Sequence, residues 1–166
     1  MISNAVLNVF NNPKNTGRIS KPDGIADCFN ADNTAHVEFS LRIESGIITN
    51  CQFRAQANPY IIAICSTITN MVKGKMWAMV FLDPYSIKKE LGDESDIDIT
   101  FCIDCLKLAL DDYKDKLSKT IKESEKEIKL ENKPIIDEIE TKEEAPNDSD
   151  ADDDFDFDDF FDDEDI

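Results

Sequence analysis

The chain has 166 residues, 36 of them acidic and 18 basic, for a formal net charge of −18; that length suits one domain with an appendage. The acidic balance excludes a phosphate-binding surface, which needs clustered Lys and Arg, and no apolar run reaches the roughly 18 residues of a membrane span. The charge is uneven: residues 148–166 carry twelve acidic groups and no basic one, and without them the net charge is −6. Ile2, Val6, Leu7 and Phe10 recur at helical spacing and predict a helix over residues 2–11. Asn11, Asn12 and Pro13 end it, because proline cannot continue a helix and restricts its predecessor. Residues 17–24 read as loop and 25–29 as a short edge strand. Ala35, Val37, Phe39, Leu41 and Ile43 then alternate with polar residues, as do Cys51, Phe53 and Ala55 after Ile47 and Thr49. That period of two, broken by Ser45-Gly46, predicts an antiparallel hairpin with one apolar face.

Asn58-Pro59 opens a second helix, Asn as N-cap and Pro as first residue. Ile61, Cys65, Ile68 and Val72 share a side of it, and Gly74 closes it in a left-handed position. Residues 86–91 predict a short helix. A long one starts near Ile99, with Ile103, Leu106, Leu110, Tyr113 and Leu117 as its core stripe. Beyond Leu117 the stripe thins to Ile121 and Ile128, which predicts a solvent-borne extension; residues 132–147 read as linker.

The five cysteines are odd in number and follow no secretory signal, which points to reduced thiols in a cytoplasmic protein. Cys51, Cys65 and Cys102 fall on apolar faces, where a free thiol acts as a small hydrophobe. Cys102-Ile103-Asp104-Cys105 is a C-x-x-C near a helix start, the placement of a redox pair, but a zinc site would want a second pair or histidines. His36 is the sole histidine and lies on the polar strand face, so no His-based triad exists. Nothing in the pattern builds an enzyme. The phenylalanines set among aspartates over residues 152–166 suit docking on a basic protein partner, and such charge density predicts a disordered segment.

Three stretches carry a family likeness: Asn12-Pro13-Lys14-Asn15-Thr16-Gly17, the run from Gly46 through Phe53 to Val72-Lys73-Gly74-Lys75, and Leu106 to Tyr113. Together they resemble the NifU/IscU family of iron–sulfur cluster scaffolds over roughly residues 4–117. The resemblance implies an α+β fold, a small antiparallel sheet with helices packed on one face. It implies a domain over 1–117, which the thinning stripe and the charge pattern follow with a helical extension over 118–131 and a disordered acidic linker and tail over 132–166. By the same resemblance the activity is assembly of an iron–sulfur cluster or binding of iron, with sulfur from a cysteine desulfurase and delivery to apo-protein acceptors. Three cysteines and an aspartate hold the cluster in that family. Aligned without gaps, this chain places Ala31, Asn58 and Asp98 at the cysteine positions. With gaps, Cys28, Asp32 and Cys102 become the metal ligands, for iron or for zinc. The alternative is an adaptor that kept the fold, lost ligation, and acts through its surface and its acidic-aromatic tail.

Overall fold

A computed structural model of the protein describes residues 2–92 and 96–131, except the side chains of 129–131. The linker and acidic tail expected over 132–166 lie outside the described residues. The elements follow in the order α1 (Asn4–Asn11), β1 (Gly24–Phe29), β2 (His36–Glu44), β3 (Ile47–Gln56), α2 (Pro59–Val72), a 3-10 turn (Trp77–Met79), α3 (Pro84–Leu91) and α4 (Asp96–Glu131). This is the expected α+β arrangement: one antiparallel sheet of order β1-β2-β3 with helices against it.

The hairpin turns at Ser45 and Gly46, both at positive φ (50° and 80°). That geometry matches the twist of the flanking strands and accounts for the glycine. Val37, Phe39, Leu41 and Ile43 face the core from β2. On β3 the expected alternation breaks. Arg42 pairs with Asn50 but Ile43 pairs with Ile48, so Thr49 is an extra residue in the ladder. The bulge reverses the inward phase: Ile48 is buried together with Cys51 and Phe53, while Thr49 is exposed.

Helix α2 is the central post of the core. Asn58 caps it by accepting a hydrogen bond from the Ile61 amide at 3.0 Å, and Gly74 follows it at φ +81°. Besides the expected Ile61, Cys65, Ile68 and Val72, it buries Ala63, Ile64, Ser66, Thr67 and Thr69. Its polar residues are buried because the Asn12–Gly17 segment straps across them. Ser66 Oγ accepts from the Lys14 amide at 2.8 Å, and the Asn15 side-chain amide donates to Thr69 Oγ1 and to Asn70 Oδ1. The strap continues onto β3, where the Phe53 amide donates to the Asn15 carbonyl and the Gly17 amide to the Phe53 carbonyl. The Asn12–Gly17 motif is thus a backbone tether that closes the β3 edge of the sheet.

Helix α4 begins at Asp96, three residues earlier than expected, buries Cys102, Cys105, Leu106 and Ala109, and packs on β1, β2 and α2, with Cys105 on Val37 of β2 and Cys102 on Cys65 of α2. Every residue from Lys114 to Ile128 is exposed.

Candidate functional site at the loop end of the sheet

The register fixes what meets at one end of the molecule. Phe29 pairs with His36, which pairs with Gln56, so the β1–β2 loop and the entry to α2 are neighbours. Helix α4 runs antiparallel to β1: Cys105 lies near Cys28, whereas further along Asp112 accepts from the Ile25 amide at 3.0 Å. Going back from Cys105, the first turn of α4 therefore heads for the same loop end. Ala31, Asn58 and Asp98, the three positions of the ungapped alignment, all belong to it.

The residues there are well ordered by local chemistry. Asn30 organises the loop: its Oδ1 accepts from the amides of Thr34 and Ala35, each at 2.9 Å, and its carbonyl accepts from the Asn33 amide. Ala31 and Asp32 are exposed on that loop. Asn58 spends its side-chain oxygen on the helix cap. Asp98 is half-buried in the first turn of α4, where a carboxylate is favoured by the helix dipole. Two large apolar side chains are exposed at the same end, Phe29 at 61% and Ile97 at 80%. Phe29 stacks on His36, and His36 is also in contact with Asp27. The single histidine is thus half-covered on the outer sheet face rather than simply solvent-facing.

The thiols lie elsewhere. Cys65 on α2 donates to Cys102 on α4, sulfur to sulfur at 3.7 Å. Cys105 donates to the Val37 carbonyl at 3.4 Å. Of the set Cys28, Asp32 and Cys102, Cys28 meets Cys105, Cys102 meets Cys65, and Asp32 stands on the exposed loop. Among the described residues no three His, Cys, Asp or Glu side chains form a group able to hold a metal ion. Within the C-x-x-C, Cys102 and Cys105 turn to different hydrogen-bond partners, Cys65 and the Val37 carbonyl. Sequence could place Cys102 on a buried face. It could not reveal that its neighbour is Cys65, because that contact spans 37 positions.

Burial sets the chemistry of these sulfurs. It pushes the Cys51 thiol up to about 12, with nearby Lys73 opposing. It raises Cys65 as well, reinforced by the hydrogen bond with Cys102, and raises Cys105, reinforced by Cys28. Thiolates are the reactive and metal-binding form, so these thiols are held in their inert state. The expected result of brief alkylation at pH 8 is modification of Cys28, the one cysteine that is not buried, with Cys51, Cys65, Cys102 and Cys105 protected until denaturant is added. Peptide mass spectrometry reads this directly, and early labelling of Cys65 or Cys102 would contradict it.

A cluster scaffold holds its iron with soft thiolate ligands. The loop end supplies a methyl, a carboxamide and a carboxylate at the three positions. These do not fit a sulfide cluster.

A family model for the NifU-like N terminal domain matches residues 1–120. None of the curated proteins compared matches the chain. Solved structures do. A nitrogen-fixing NifU-like protein (N-terminal) from Brucella abortus aligns with TM-score 0.55 and 13% identity over 69% of this chain and 94% of that one. A protein described as a candidate iron–sulfur cluster assembly scaffold for the SUF system, from Fervidobacterium islandicum AW-1, aligns with TM-score 0.52 and 13% identity over 65% and 95%.

Proposed function

The chain belongs to the NifU-like N-terminal domain family, and from that premise we propose that it is a non-enzymatic accessory protein of iron–sulfur cluster assembly that works by protein contacts. One observation carries the reading. By the ungapped alignment the family's thiolate positions fall on Ala31, Asn58 and Asp98, and the exposed side chains of the same loop end include Phe29 and Ile97. Apolar side chains exposed among polar ones suit a docking face. Its partners would be a cysteine desulfurase and apo-protein acceptors, with a basic surface for the acidic-aromatic tail. The free cysteines support a cytoplasmic location; no described helix is long and apolar enough to cross a membrane.

A second reading keeps ligation, with iron, a cluster or zinc held through Cys28, Asp32 and Cys102. What favours it is the partial exposure of Cys28, which borders the loop that carries Asp32. It requires Cys102 to leave Cys65. The two readings separate in one anaerobic experiment with ferrous iron, sulfide and a cysteine desulfurase. The contact reading expects the chain to co-sediment with the desulfurase yet emerge colourless and iron-free after desalting. A visible charge-transfer band that disappears in Cys28→Ala or Cys102→Ala would establish the second reading. A chain that neither colours nor binds the desulfurase would remove it from assembly altogether.

A further inference from the structure

Helix α4 continues past Tyr113 to Glu131 with every side chain from Lys114 to Ile128 exposed, Lys116 still reaching back to the Asp23 carbonyl. A free-standing helix of that length is marginal in water, since isolated helices below roughly 12–15 residues scarcely persist and longer ones need helix-favouring sequence. This one also keeps an apolar stripe. Leu117, Ile121 and Ile128 are 37%, 50% and 57% exposed, and with Ser124 they step by four, three and four, the a/d spacing of a two-stranded coiled coil. The family match ends at residue 120, so Ile121 and Ile128 lie outside the shared fold.

Charge names the occupant and its direction. Residues 114–122 contain Lys114, Lys116, Lys119 and Lys122 against Asp115 alone. Residues 123–128 contain Glu123, Glu125 and Glu127 against Lys126 alone. A parallel partner of the same sequence would lay lysines on lysines and glutamates on glutamates. An antiparallel one lays the basic half on the acidic half. The apolar register agrees: turning the stripe about a two-fold axis between Lys122 and Glu123 sets Leu117 opposite Ile128 of the second copy, and Ile121 opposite Ser124.

We propose that the solvent-borne half of α4 pairs antiparallel with the same segment of a second copy of this chain. Three apolar side chains per copy are few against the roughly 800 Å² per partner of a standard interface, so the dimer is weak and forms with concentration. Its attraction between charged halves is screened by salt.

The test uses the full chain. Sedimentation equilibrium from micromolar to millimolar concentration should show a monomer–dimer equilibrium, weakened at least tenfold by Ile121→Lys and also weakened by added salt. Ile121 is half-exposed on the outer part of α4, so far-UV circular dichroism of the body should be unchanged. Direction is read in a Cys28→Ser background by mixing Ser118→Cys chains with Glu125→Cys chains. Antiparallel pairing faces these two positions across the seam, and the mixed disulfide should dominate over both homodisulfides under mild oxidation by oxidised glutathione. A monomer at every concentration, association unaffected by Ile121→Lys, or predominance of homodisulfides would each overturn the proposal.

Discussion

The triple variant Ala31→Cys, Asn58→Cys, Asp98→Cys should gain what the native chain is proposed to lack: an iron–sulfur cluster bound at the loop end. Under anaerobic reconstitution we expect a visible charge-transfer band and iron and sulfide retained in equal amounts after desalting. The argument is one of position. Strand register places the β1–β2 loop beside the entry to α2, and the antiparallel run of α4 along β1 brings its first turn to the same end. A thiol at position 58 would sit at a helix N-terminus, where the dipole lowers its pKa and favours the thiolate. One at position 31 would stand exposed on the loop next to Asp32. The structural cost is modest. Ala31 makes no buried contact, and replacing the Asn58 cap costs about 1 kcal/mol. Each single substitution is expected to leave the protein colourless, because one added thiolate cannot hold a cluster. If the triple variant folds, as judged by a single cooperative urea transition, and still binds no iron, the three positions do not converge and the contact reading loses its geometric basis.

How much of this was open to inspection in the sequence depended on whether the signal was local. The hairpin, the Asn58-Pro59 helix start and the α4 stripe from Ile103 to Tyr113 were legible because period, cap and turn chemistry act within a few residues; Leu117, expected on that core stripe, is instead exposed, because α4 has by then run past the sheet. The bulge at Thr49 was not. Ile47, Thr49, Cys51 and Phe53 keep a clean period of two on paper, and only pairing with Arg42 and Ile43 reveals the added residue. The burial of Ser66, Thr67 and Thr69 was hidden for a related reason. Hydroxyls read as a polar face until the Lys14 backbone amide and the Asn15 side-chain amide, more than fifty positions away, are found hydrogen-bonded to Ser66 and Thr69. For the candidate site, motif order led to the loop end and to Ala31, Asn58 and Asp98 as its proposed changed positions. It could not give the fate of the cysteines. The Cys65–Cys102 and Cys28–Cys105 contacts each join two elements that no local pattern links. Nor did sequence point to Asn30, whose side chain shapes the loop, although an Asn before a turn is a signal that such a role exists.

Gly24→Ala should be the most destabilising single-atom-scale change in the protein, costing about 3 kcal/mol, the upper end of what overpacking usually does. Gly24 was expected in a loop, but it opens β1, opposite Leu41, and its backbone is not in the left-handed region. What excludes a side chain there is helix α4. A Cβ on residue 24 would lie 2.3 Å from the Ala109 carbonyl oxygen and 3.1 Å from the Tyr113 Cβ. The first atom is helix backbone and cannot rotate away. The helix must move as a unit, and it is held by the Ile25 amide on Asp112 and by Lys116, which donates to both Asp112 and the Asp23 carbonyl. Displacing α4 also loosens Cys105 from Val37 and Cys28. The variant should therefore expose Cys105 to alkylation in the native state, where the parent protein protects it. Gly46→Ala is the matched control. Gly46 has φ +80° and nothing within 4 Å of its added Cβ, so it carries only backbone strain, roughly 1–2 kcal/mol. Urea midpoints ordered parent, Gly46→Ala, Gly24→Ala, with Cys105 labelled only in the last, are the expected result. Equal midpoints for the two alanine variants would mean that α4 does not press on β1 as closely as the 2.3 Å approach requires.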